Sequence, residues 1–233
     1  MKKPSIESFK RFIKGFIPSK YALTLFSIFF SMGFLLAFHD PVMVGSNING
    51  GFLLGDIQAQ FDPPQTSSLS YLVNQFIFFL GVPAAKIFLS NVFFAVICIF
   101  SGILIVPIIL LDFFSYMGSI TYLLILKVGL LKAFLILLGS FHLYLEFLAT
   151  ILVIDASLKF YGSIFHSIRQ RSFAVFKKEI SNKFIPLFLR IILLLALAAF
   201  LEVFWSTWWV YIMTHTYISW ADFYVGVYSC LVK

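Results

Sequence analysis

The sequence predicts an all-α fold: a polytopic transmembrane helix bundle of about five spans, one of them broken near Gly129, preceded by an N-terminal amphipathic interfacial helix. Three observations carry that expectation. The 233 residues are 61% hydrophobic and only 12% charged, with a mean hydropathy of +0.99, whereas a soluble domain is usually about 45–50% apolar and about 25% charged. The apolar residues gather into runs long enough for ~30 Å of hydrocarbon. The basic residues, which leave a net charge of +7, flank those runs and do not line one face, so nucleic acid is not an expected partner.

Residues 1–20 open the chain as a cytoplasmic interfacial helix. In MKKPSIESFKRFIKGFIP (1–18), Ile6, Phe9, Phe12, Ile13, Phe16 and Ile17 share one helical face, Glu7, Arg11 and Lys14 lie opposite, and Pro18 ends the pattern. A basic side with an aromatic side is the pattern of a helix lying in the membrane interface. The bundle itself occupies 21–213. Its first span is YALTLFSIFFSMGFLLAF (21–38), and the lysines before it place its start in the cytoplasm. It lacks the small-residue cleavage site of a signal peptide. Residues 39–86 read as an external loop, rich at first in Gly, Asn, Asp and Pro, with a short apolar helix at 70–80.

The second span is expected at 87–111, kinked by Pro107, with Gly102 giving a neighbour close approach. The stretch 112–139 is harder to place, because Lys127 and Lys132 fall near its middle. A lysine at the centre of a lone span costs roughly 2.5–3.5 kcal/mol. A helix broken at Gly129, with its polar groups turned into the bundle, costs less. Residues 142–164 form the next span. A connector at 163–183 follows, with Arg169, Arg171, Lys177, Lys178 and Lys183 against the single Glu179, and it is cytoplasmic by the same charge rule. The last span is expected at 187–213, with Trp205, Trp208, Trp209, Tyr211, Tyr217 and Trp220 crowding its far end as an aromatic belt for the outer interface. Residues 214–233 form an external aromatic-rich tail, interfacial and not a sixth span.

Within this topology the intramembrane polar residues fall in two layers. His142 and Glu146 are four residues apart on one helical face, and Asn91 and Glu202 lie at similar depth in other spans, so the four form a candidate outer cluster. Asp155 and Lys159 have the same spacing nearer the cytoplasm and suit an ion pair, at the level of Asp112 and Arg190. The outer cluster has three readings: a hydrogen-bonded network that fixes helix register, a proton or ion path, or a metal site formed by His142, Glu146 and Glu202. No H-E-x-x-H or G-x-S-x-G motif is present, so neither catalytic residues nor a cofactor are expected. Cys98 and Cys230 fall too far apart in this topology to pair.

The run from IFLSNVFFAVICIFSG through SFHLYLEFLATILVIDASLKFYG to LAAFLEVFWSTW resembles the stage II sporulation protein M family of multi-pass membrane proteins. Asn91, Gly102, Gly118, His142, Glu146 and Glu202 fall on positions typical of that family, and Lys159 on one that is often basic. The family's Pro-His-Gly is here Phe-His-Leu, and Ser157 stands where a small glycine is common, the marks of a divergent member. The resemblance implies a non-catalytic scaffold or accessory subunit that docks other membrane or surface proteins. The alternative is a transporter or channel component, built on the two polar layers and the broken helix. Either way the expected partner is the bilayer of a cell membrane, with the N-terminus cytoplasmic, the C-terminus external, and self-association as an alternative to a mixed complex.

Overall fold

The computed structural model describes residues 14–39, 69–102, 105–215 and 217–231, and among them all regular structure is helical. Residues 1–13 of the expected interfacial helix and most of the expected loop at 39–86 lie outside the described residues. Helix α1 (Lys20–His39) follows Pro18, and Ser19 Oγ accepts the Ala22 amide at 3.3 Å, satisfying one of the unpaired first-turn donors. Helix α2 (Leu69–Phe100) starts within the stretch expected as loop, so residues 69–86 are helical. Pro83 lies inside it and leaves one rung of its hydrogen-bond ladder unmade.

The second span does not run to residue 111. The chain turns after Phe100 at Gly102, whose φ of +102° is easy only for glycine. Helix α3 (Val106–Val128) then begins with Pro107 in its first turn, where proline's missing N–H costs nothing. Pro107 is therefore a helix start and not a kink, and Gly102 serves a turn and not a close approach.

Gly129, at φ +83°, separates α3 from α4 (Leu130–Gly139). The break lies at the end of a complete span. Lys127 falls in the last turn of α3, Lys132 in the first turn of α4, and both are exposed, not turned into a bundle interior.

Helix α5 (Phe141–Gln170) is closed by Arg171 in the left-handed conformation, φ 50°. One continuous helical run follows: α6 (Phe173–Glu179), a wide π turn at Ile180–Phe184, α7 (Ile185–Leu201), a second π turn at Glu202–Ser206, and α8 (Thr207–Thr214). Helix α9 (Trp220–Leu231) ends the described chain. Its length, about 18 Å at the usual rise, is too short to cross a bilayer. Five stretches are long and apolar enough to cross: Lys20–His39, Leu80–Phe100, Val106–Val128, Phe141–Gln170 and Phe173–Thr214. The protein is a polytopic helical membrane protein.

Lipid tails are as apolar as leucine, so these helices are held together by close packing and polar contacts. Helices α1 and α3 run side by side in the same direction. A Cβ on Gly33 would meet Phe114 at 2.5 Å, and one on Gly118 would meet Ala37 at 2.8 Å. Helices α2, α5 and α7 share a second core, with Cys98, Ile99, Leu152, Ala156, Ile191 and Leu195 buried between them. Helix α9 closes a third around Leu80, Val203, Phe223 and Tyr224.

Candidate functional site

The polar residues meet where α2, α5 and the second π turn come together. Helix α2 contributes Asn91, whose Nδ2 donates to Glu146 Oε1 at 2.9 Å. One turn back on α5, His142 Nδ1 lies 2.6 Å from Ser206 Oγ. Glu202 opens the π turn four residues before Ser206. Sequence spacing thus brought Asn91 and Glu146 into one hydrogen bond and His142 onto the same face. It missed Ser206, the actual partner of His142, because a serine inside the aromatic run VFWSTWW carries no polar signal of its own.

The π turn has its own chemistry. Its i→i+5 pattern releases carbonyls from the α-helical ladder, and such turns recur at functional sites. Side chains take up the released groups: Thr207 Oγ1 donates to the Glu202 carbonyl at 2.9 Å, Trp220 Nε1 to Phe204 at 2.6 Å, and the Tyr224 hydroxyl to Val203. Trp205 Nε1 donates to Gly139 at 2.9 Å, Trp209 Nε1 to Leu135 and Trp208 Nε1 to Ile218, each at 3.0 Å. The four tryptophans of the expected belt therefore use their N–H groups to tie α4, α8 and α9 to the bundle. Gly139 is required for this, since a Cβ there would meet the Trp209 ring at 2.2 Å.

Below the Asn91–Glu146 bond lies a cavity of about 40 Å³, lined by those two residues, Thr150, Phe94, Phe113 and Leu195 among others. That is room for a few waters or one small cation by volume. Thr150 Oγ1 is committed to the Glu146 carbonyl at 2.8 Å. Among the described residues no three His, Cys, Asp or Glu side chains gather as metal ligands, so the set His142, Glu146 and Glu202 does not converge on a metal.

Nearer the other end, Lys159 Nζ lies 2.7 Å from Asp155 Oδ2, with the aspartate side chain 5% exposed and the lysine 38%. The buried acid is thus neutralised by a base that extends toward the surface. Asp112 and Arg190 do not join this pair. Asp112 is exposed on α3, and the Arg190 guanidinium lies over Phe16, 6.0 Å from the ring centroid, where a Cβ on Gly15 would clash with it.

No family model, curated protein or solved structure matches the chain.

Proposed function

We propose that the chain is a component of a membrane transport system that takes up and releases a proton or small monovalent cation at Glu146. One observation carries this reading: Glu146, hydrogen-bonded to Asn91, borders a small, partly open and mostly apolar cavity to which Asn91, Glu146 and Thr150 bring the polar groups. Ionisable groups within a span are costly and mark a functional site by default, ion pathways among them. The cavity's size suits a proton or a small ion. The protein reconstituted in liposomes is expected to dissipate an imposed proton or sodium gradient. Glu146→Gln should abolish the flux and Glu202→Gln should reduce it. Equal flux in wild type and both variants, or none in wild type, overturns the reading.

A second reading, an anchoring subunit for partner proteins in a cell-membrane complex, is favoured by the resemblance and by the helical hairpin formed by the end of α5 with α6. In that case a partner copurifies in fixed stoichiometry, and a lone monomer from gently solubilised native membranes counts against it. For both readings we place the basic hairpin and the start of α1 in the cytoplasm and the tryptophan-rich end outside, in keeping with the charge bias of short loops.

A further inference from the structure

Helix α5 is longer than its neighbours need. Tyr161 donates its hydroxyl to the carbonyl of Phe100, the last residue of α2, at 3.0 Å. Beyond that level α5 continues to Gln170, about 13 Å further at the usual rise. Among the described residues, α6 and the π turn after it accompany this extension. His166 Nδ1 lies 3.1 Å from Glu179 Oε1, Lys183 Nζ lies 2.6 Å from the same oxygen, and Ser167 Oγ donates to the Ser172 carbonyl at 2.9 Å. The result is a pinned hairpin that stands past the end of α2.

Its depth follows from the other end. His142 is level with the tryptophan cluster through Ser206. From His142 to Tyr161 is about 28 Å of helix, close to the ~30 Å of a hydrocarbon core. Phe165 and Ile168, about 6 and 10 Å beyond Tyr161, then lie at and just past the headgroup layer, with Phe173 at the tip. All three are conspicuously bare, at 62%, 67% and 75% exposed. Around them Arg169, Arg171, Lys177 and Lys178 are exposed, and the one acid of the hairpin, Glu179, is already held by Lys183 and His166.

We propose that this hairpin is a binding surface for anionic lipid headgroups, with Phe165 at the headgroup boundary, Ile168 and Phe173 against the outer side of the headgroups, and the arginines and lysines on the phosphates. Three facts select lipid over other anions. The hairpin's root sits at the bilayer surface, Phe165 lies at headgroup depth with Ile168 and Phe173 just beyond it, and aromatic side chains beside clustered cations are the composition of interfacial segments. The surface is independent of the Glu146 site and of which side of the membrane the hairpin occupies.

The test uses the purified full chain in mild detergent, titrated with short-chain phosphatidylglycerol and, separately, phosphatidylcholine, with bound lipid counted by native mass spectrometry. Wild type should prefer phosphatidylglycerol, and added salt should erode the preference. Replacing Arg171, Lys177 and Lys178 singly by Gln should weaken phosphatidylglycerol binding about fivefold per cation, and Phe173→Ser should weaken both lipids. These are exposed positions, and unchanged helical circular dichroism verifies that each variant is folded. The proposal is overturned if the Gln variants keep the wild-type preference, if inorganic phosphate displaces the lipid at equal concentration, or if an acidic polyglutamate peptide binds the hairpin more tightly than the lipid does.

Discussion

Asn91 and Glu146 lie 55 positions apart in sequence and share one hydrogen bond between two helices. A half-buried carboxyl that loses its partner retains part of the cost of its lost hydration, of which about 1–3 kcal/mol is the upper bound. Asn91→Leu is therefore expected to destabilise the bundle by up to that amount, read as a lower midpoint of thermal unfolding in detergent. The double variant Asn91→Leu/Glu146→Leu removes both polar groups and should recover much of the loss, the non-additivity of a true contact pair. Equal and additive losses would mean that the bond contributes nothing to packing. Of this site, His142 and Glu146 were legible from spacing alone, and Asn91 from being a lone amide in an apolar span. The π turn was not, since nothing in EVFWS distinguishes a helical turn of wider pitch from an ordinary one.

At the scale of elements, the α1–α3 contact depends on glycines at facing positions. Gly118→Leu must displace Ala37 and Phe34, whose Cβ and Cα atoms a mere Cβ would approach to 2.8 and 3.1 Å. Overpacking of this kind costs about 1–3 kcal/mol, so the unfolding midpoint should drop, while Gly162→Leu, with nothing within 4 Å of its Cβ position, should leave it unchanged. The turn between α2 and α3 shows why the second span was misplaced: SGILIVP is apolar on both sides of the reversal, so hydropathy carries no break, and only a glycine and a proline five residues apart mark it. Lys127 and Lys132 looked like intramembrane charges for the same reason. Once the turn falls at Gly102, both lysines sit at helix ends.

The hairpin adds a dependence on pH. Hydrogen bonds from Lys183 and His166 hold the Glu179 carboxyl below the ordinary carboxylate range. A carboxylate whose folded pKa is depressed stabilises the fold above its unfolded value of about 4.3, and that contribution fades as pH falls through the folded value. Amide exchange in residues 163–183 should therefore accelerate in acid, at pH values below the usual carboxylate range, after correction for intrinsic rates. Glu179→Gln should exchange faster at neutral pH and lose the acid dependence. A wild-type profile that matches Glu179→Gln at every pH would remove Glu179 as the pin.

For the whole molecule, helix directions follow from which residues meet. Gly33 faces Phe114 and Gly118 faces Ala37, so α1 and α3 are parallel. Phe26 and Phe30 meet Phe147, while Ala22 packs with Ile154, so α5 runs against α1. Asn91 meets Glu146 and Phe100 meets Tyr161, so α2 runs with α5. His142 meets Ser206 and Phe160 meets Phe184, so α7 runs against α5. Three spans then run one way and two the other, which sends the start of α1 and the end of α8 to opposite faces. Helix α9 is anchored beside Val203 and Phe204 and stays at the face where α8 ends. Reporter tags fused to the two ends of the chain should accordingly react with a membrane-impermeant reagent from opposite sides of sealed vesicles. A tag after residue 233 should share its side with a cysteine introduced at Leu131, in the exposed first turn of α4, and a tag before residue 1 with one at Arg171. Labelling of both ends from one side would mean that one of the five apolar helices does not cross, and the short-packed α1, whose described neighbours are α3 and α5, would be the first to re-examine.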